Sequence, residues 1–236
     1  MKVLVIPDVH LKPWIFRDAA KIMKTGAAER AVCLMDIADD FDKEMHINLY
    51  EETYDAAISL AKEFPDTLWC YGNHDLSYSF GYLETGYSPY AESTVLRKLS
   101  ELQRSLRNEL QLAYVHRIDN VLFSHGGVTQ EFVLQHISAR ENRDTDLVLD
   151  VINAFGKREM WKDNSPIWAR PQYGYVKMYQ EKRLLQVVGH TPVEKITQTG
   201  NLISCDVFST YRDGTPIGTE EFLLLDTKTR EWKGIK

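Results

Sequence analysis

Five times in this chain a strand-length apolar run stops at a short cluster of Asp, His, Asn and Gly, and that recurrence limits the folds open to it. Ile6-Pro7-Asp8-Val9-His10 closes the first run, Leu34-Met35-Asp36-Ile37-Ala38-Asp39 the second and Tyr71-Gly72-Asn73-His74-Asp75 the third. Phe123-Ser124-His125-Gly126-Gly127 and Val188-Gly189-His190-Thr191-Pro192 close two later ones. Open α/β sheets place their binding crevices outside the carboxyl ends of the strands. The pattern therefore predicts five strand ends that bring O and N donors to one place.

The strand candidates are residues 2–6, 31–35, 67–71, 112–118, 120–124, 184–188, 202–207 and 222–226. Helical spacing runs through 47–64, with Ile47, Tyr50, Tyr54, Ile58 and Ala61 on one face. It recurs through 94–110, with Val95, Leu99, Leu102, Leu106 and Leu110, and through 145–158. Strands alternating with helices early in the chain predict α/β architecture. The closing strands, separated by turns such as Asp213-Gly214, predict a β meander. No linker or repeat divides residues 1–236, so one domain is expected. Residues 77–90, rich in Tyr and Gly, show no clean period, and that segment is expected as a loop over the site or at the surface.

A net charge of −6 opposes an extended nucleic-acid surface, which needs clustered Lys and Arg. Cys33, Cys70 and Cys205 lie singly inside apolar runs and read as reduced core residues. The apolar run Val3–Ile6 is too short for a membrane span or a signal segment, so a cytoplasmic protein without membrane association is the expectation.

In Asp8-x-His10, side chains two apart on extended backbone point the same way, so one ion can take a carboxylate oxygen and an imidazole nitrogen. The two oxygens of Asp36 can bridge two ions, with Asn73, His125 and His190 as neutral ligands of the second. Carboxylate, amide and imidazole without thiolate suit Mn²⁺, Fe or Zn²⁺. Two such ions, about 3.5–4 Å apart, acidify a water between them and stabilise the attacking and leaving oxygens of an in-line displacement. That is phosphoryl chemistry.

With these blocks in this order, the chain resembles the calcineurin-like metallophosphoesterase superfamily, whose signature runs D-x-H, G-D-x-x-D, G-N-H-D/E, H-G-G and G-H. The resemblance implies a double β-sheet sandwich flanked by helices and two divalent metal ions, Mn²⁺ first, with Fe, Zn²⁺ or Mg²⁺ as alternatives. It implies that Asp8, His10 and Asp36 hold one ion and Asp36, Asn73, His125 and His190 the other. His74 then assists the leaving oxygen, and Asp39 orients it. The H-G-G block, and Pro192 where other branches carry a second His, are similar to the protein Ser/Thr phosphatase and dinucleoside tetraphosphatase branch. Ile167-Trp168-Ala169-Arg170 is similar to a bacterial phosphatase segment whose Arg grips phosphate, which makes Arg170 the candidate clamp.

Two blocks depart from that branch. Pro7 and Leu11 replace glycines around Asp8-x-His10, and Asp40 stands where the branch has a phosphate-binding Arg. An acid pointing inward there repels a phosphomonoester dianion. His46, His116 and His136 fall outside the blocks and are expected to be surface or packing residues. The resulting expectation is a phosphoesterase that hydrolyses monoesters, phosphoprotein Ser/Thr among them, by attack of a metal-bridging hydroxide. The alternatives are a nucleotide or dinucleoside polyphosphate hydrolase, a phosphodiesterase, or a metal-binding scaffold without catalysis. The substrate is accordingly a phosphorylated small molecule, a nucleotide or a phosphoprotein.

Overall fold

Val3, Leu4, Val5 and Ile6 are fully buried in β1 (Lys2–Ile6), as a strand covered on both faces requires. A computed structural model describes residues 1–138 and 141–236. In it β1, β2 (Arg30–Cys33), β3 (Leu68–Cys70) and β4 (Leu112–Ala113) pair in parallel, one after the other. A second sheet takes β5 (Val115–Ile118), β6 (Val121–Ser124), β7 (Leu185–Val188), β8 (Thr197–Thr199) and β9 (Leu202–Ser204), in the order β5-β6-β7-β9-β8. β10 (Phe222–Asp226) returns antiparallel to β1, and β11 (Trp232–Ile235) extends that edge.

The two sheets face each other. Val121 and Phe123 of β6 pack into one core with Leu4, Ile6, Cys33 and Trp69, while Leu122 between them joins a second core with Phe132, Val148 and Ile152. That period of two places the second sheet between the first sheet and an outer helical layer. The helices are α1 (Pro13–Lys24), α2 (Ile47–Glu63), α3 (Asn73–Phe80), α4 (Glu92–Ser105), α5 (Gln130–His136), α6 (Thr145–Asn153) and α7 (Lys157–Met160). The fold is thus mixed α/β with two sheets flanked by helices. Among the described residues no helix is long and apolar enough to cross a membrane.

Several expectations need correction. The run 112–118 divides at Tyr114, where the chain leaves the first sheet for the second. Asn153 Oδ1 accepts the backbone N–H groups of Tyr114 and Val115, both at 3.0 Å, so the crossover leaves no orphan donors. The second half is not a meander: β6, β7 and β9 are parallel, and β10 pairs back with β1. The helix expected over 94–110 ends at Ser105 and leaves Leu110 exposed, and that over 145–158 breaks after Asn153. α1 carries its proline at the first helical position, where the missing N–H costs no hydrogen bond, and buries Ile15, Phe16, Ala19 and Met23.

Candidate functional site

The parallel strands of both sheets end at the same place, and the loops that follow them turn through left-handed backbone. His10, Met35, Asp36, Asp39 and His190 all have positive φ, between 42° and 66°. Non-glycine residues pay for that conformation, by about 1–3 kcal/mol each, and such strain collects where surrounding contacts over-determine the geometry. Here the contacts are backbone bonds between loops, with Val9 and His10 N–H both donating to the Asp36 carbonyl oxygen, at 3.1 and 2.8 Å. Asp8 and His10 therefore converge through a turn, not through the extended backbone expected from the D-x-H spacing.

Gly72 and Gly189 let these loops close on the acids. A Cβ at Gly72 would overlap Asp36 Oδ1, and one at Gly189 would overlap Asp8 Oδ2. The acids are fixed in turn by backbone donors: His190 N–H to Asp8 Oδ1 at 2.9 Å, and His74 N–H, in the first turn of α3, to Asp36 Oδ1 at 2.9 Å. The positive end of that helix is a favourable place for a carboxylate.

Donor atoms from both sheets meet here. His125 Nδ1 lies 2.9 Å from the Leu34 carbonyl oxygen, which can only accept, so Nδ1 carries the proton of the neutral ring. Its Nε2 lone pair then faces Asn73 Oδ1 at 2.9 Å, Asp36 Oδ2 at 3.1 Å and His190 Nδ1 at 3.1 Å. No single proton serves so many lone pairs, and a cation does. His10 Nδ1 donates to the Asp39 carbonyl oxygen at 3.0 Å and leaves its other nitrogen as acceptor. Two groups of ligand atoms lie within 4.8 Å of one another, Asp8 with His10 and Asp36, and Asp36 with His125 and His190, sharing Asp36. Asp8 Oδ2 and His190 Nε2 are buried without hydrogen-bond partners among the described residues. The residues present fit divalent cations.

The electrostatics agree. Burial, reinforced by the charge of Asp206, pushes the Asp8 carboxyl well above its ordinary value. Burial alone would raise Asp36 too, but the imidazoles of His125 and His74 hold it below the usual carboxylate range. Burial opposes a charge on His125, yet Asp36 and Asp8 hold its proton up to about 9. Burial likewise opposes a charge on His74, and Asp36 and Asp39 lift it to about 9. Burial instead lowers His10, to about 4, and His190, so those two rings are neutral and free to ligate. The protons drawn onto His74 and His125 mark a fixed negative charge that a cation would offset.

Beside this cluster stands a His–Asp pair. His74 Nδ1 is 3.0 Å from Asp39 Oδ2, while Asp39 Oδ1 accepts the hydroxyls of Tyr78 at 2.5 Å and Tyr50 at 3.2 Å. A cavity of about 370 Å³ opens over both features, lined by His10, Asp36, Asp39, His74, His190 and Arg170 among others. Arg170 is fixed by Nη1 donating to the His190 carbonyl oxygen at 2.8 Å and to Thr191 Oγ1 at 3.3 Å. Among the described residues it stacks on no aromatic face. Asp40 also lines the cavity, with its charge offset by Lys12 Nζ at 3.6 Å.

The Tyr-rich segment contributes little to this wall. Tyr78 turns inward to Asp39 and stacks on Tyr87, Tyr82 stacks on Trp161, and only Thr85 and Gly86 reach the cavity. Sequence reading quoted Asp75 in its block but gave it no role; its oxygens accept the N–H groups of Ile37 and Ala38 and the Tyr54 hydroxyl at 2.6 Å. The same reading passed over Asp206, which is buried, takes the Ser209 hydroxyl at 2.9 Å and lines the cavity. The signal for Asp206 was masked, since it lies inside the apolar run 202–207, whose strand β9 ends at Ser204. His116 is buried, 3.0 Å from the Trp69 carbonyl oxygen and remote from the cavity lining.

A family model described as calcineurin-like phosphoesterase matches residues 1–214. No curated protein matches the sequence. Among solved structures, the fold is similar to a cold-active protein-tyrosine phosphatase of a psychrophilic Shewanella species. That similarity has a TM-score of 0.62 at 18% identity, over all of this chain and 80% of the other. A second structure of a cold-active protein tyrosine phosphatase gives a TM-score of 0.58 at 18% identity, over all of this chain and 78% of that one.

Proposed function

The chain belongs to the calcineurin-like phosphoesterase family, and from that premise we propose that it hydrolyses phosphate monoesters at the cavity over Asp36. The family makes it a metal-dependent phosphoesterase. The finer reading rests chiefly on one observation: two groups of ligand atoms share Asp36 directly beneath the wall that carries His74 and Asp39.

Asp8, His10 and Asp36 would hold one divalent cation, and Asp36, Asn73, His125 and His190 a second. When bound, the cations supply Lewis acidity, lowering the pKa of water and offsetting negative charge on the phosphoryl oxygens. The remaining work falls to protein groups. Arg170 spends Nη1 on the backbone of His190 and on Thr191, and keeps its other donors for phosphoryl oxygens. Asp39 takes Nδ1 of His74, so Nε2 is the nitrogen that delivers a proton to the departing oxygen as the P–O bond breaks and water adds to phosphorus. Tyr50 and Tyr78 hold Asp39 for that task.

The decisive experiment strips the protein of metal and adds back Mn²⁺, Zn²⁺ or Mg²⁺ singly, comparing p-nitrophenyl phosphate with its bis ester. Faster monoester turnover supports the proposal. Faster diester turnover favours the second reading, a nucleotide hydrolase or phosphodiesterase, which the Asp40–Lys12 pair supports because it adds no net positive charge for a dianion at that wall. Silence on both substrates with metal bound overturns catalysis altogether.

A further inference from the structure

The mouth of the cavity is built by two loops to which the scheme above gives no role. The segment after β2 brings Phe41 to the lining, with Asp42 just outside it, and the long connection from β9 to β10 brings Tyr211 and Arg212. Both aromatic side chains are open to solvent, Phe41 at 44% and Tyr211 at 57%. Arg212 ties the loops together, with Nε 3.1 Å from Asp42 Oδ2 and Nη2 2.8 Å from Asp42 Oδ1. Its Nη1 has no protein partner among the described residues.

Each member of this ion pair is the chain neighbour of one exposed aromatic, so the pair links the loops that carry the two rings. The Tyr211 loop is itself a built turn. Tyr211 N–H donates to the Thr215 carbonyl oxygen at 2.8 Å, Gly214 N–H donates to the Tyr211 carbonyl oxygen at 2.8 Å, and Asp213 accepts from Thr215. The pair lies in water, with the two side chains 76% and 58% exposed, and an exposed pair holds its partners only weakly. An anion arriving at the mouth can therefore take the guanidinium fork, and Asp42 returns to solvent at little cost.

We propose that the mouth is a leaving-group subsite for a planar group that carries its own negative charge. Phe41 and Tyr211 offer faces to the ring, and Arg212, released from Asp42, takes the charge. This assignment rests on reading the cavity as a phosphoester site, and it names the substrate class: small aryl phosphates whose ring carries a carboxylate or a similar anion.

The test is calorimetric binding of phenylphosphonate and 4-carboxyphenylphosphonate, which are not hydrolysed, to the Mn²⁺-loaded protein. The carboxylate should raise affinity roughly tenfold, as a charge-assisted hydrogen bond does. Arg212→Ala should bring that ratio close to one, Asp42→Asn should raise it above the wild-type ratio, and Arg212→Lys should restore it in part. Phe41→Ala should narrow the preference for phenylphosphonate over methylphosphonate. A wild-type ratio of one, or a ratio that Arg212→Ala leaves in place, overturns the subsite. Turnover assayed in parallel separates the two readings: selective phosphonate binding without hydrolysis of any phosphoester retains the subsite and removes the reaction. Hydrolysis without selectivity does the reverse.

Discussion

His125, at the end of a strand in one sheet, donates from Nδ1 to the backbone oxygen of Leu34, at the end of a strand in the other, over 2.9 Å. That bond fixes which imidazole nitrogen faces Asp36 and Asn73. It also satisfies a buried carbonyl at the sheet interface.

His125→Ala should therefore act twice. The metal-free variant is expected to lose about 1–3 kcal/mol, the cost of leaving a buried acceptor unpaired. Its metal content after Mn²⁺ loading should drop by at least one ion per chain. Denaturant titration and elemental analysis measure the two effects separately, and a metal-free variant as stable as the wild type refutes the structural half.

His74→Ala should keep its metal and lose turnover by about 10²–10⁴-fold, the range for a positioned general acid. The loss should be larger for alkyl than for aryl phosphates, because a poor leaving group depends more on the proton. Loss of metal, or equal losses for both ester classes, would mean that His74 has another role.

Asp75→Ala removes the acceptor shared by the Ile37 and Ala38 N–H groups and the Tyr54 hydroxyl. Three donors lose their partner in the interior, so a cost of at least about 3 kcal/mol is expected, from about 1–3 kcal/mol for each buried unpaired group. Weaker metal retention should follow, since the loop so anchored begins at Asp36. A thermal melt within a degree of wild type contradicts this.

His116 supplies a pH effect away from the metal cluster. Burial holds its imidazole below the ordinary 6.5, so the unfolded chain binds this proton more readily than the folded one. Its contribution to stability is complete above about pH 6.5 and is lost as pH falls from there through the folded value. Wild type should lose more stability than His116→Gln between pH 7.5 and 5, measured by urea titration. Parallel losses in the two proteins would exclude His116 as the origin.

The strand ends were legible because both signals there are local: an apolar run of strand length, then Asp, His or Asn. That is enough to nominate Asp8, Asp36, Asn73, His125 and His190, and the structure brings those side chains together. Pairings between distant segments were not legible. The run 112–118 looks continuous, but only pairing partners reveal that β4 and β5 belong to different sheets. The helix α1 was not among the expected elements, and Pro13 at its first position, a breaker inside a helix, gives no positive sign of it. Tyr50 and Tyr54 show as the core face of α2, and their hydroxyls on Asp39 and Asp75 emerge only once α2 is docked. Arg212 in a surface turn gives no sign of Asp42, 170 residues earlier.

The donor atoms divide between the sheets: Asp8, His10, Asp36 and Asn73 follow strands of one, His125 and His190 strands of the other. A cation held by both sets is a clasp across the sandwich, and neither half of the chain can form its seat alone. Occupancy and sheet docking then become one equilibrium. At a free metal concentration a hundred times Kd, the folded state gains about 2.7 kcal/mol. The protein would thus resist unfolding and proteolysis in proportion to the metal around it, so that starvation for metal shortens the life of the molecule as well as silencing it.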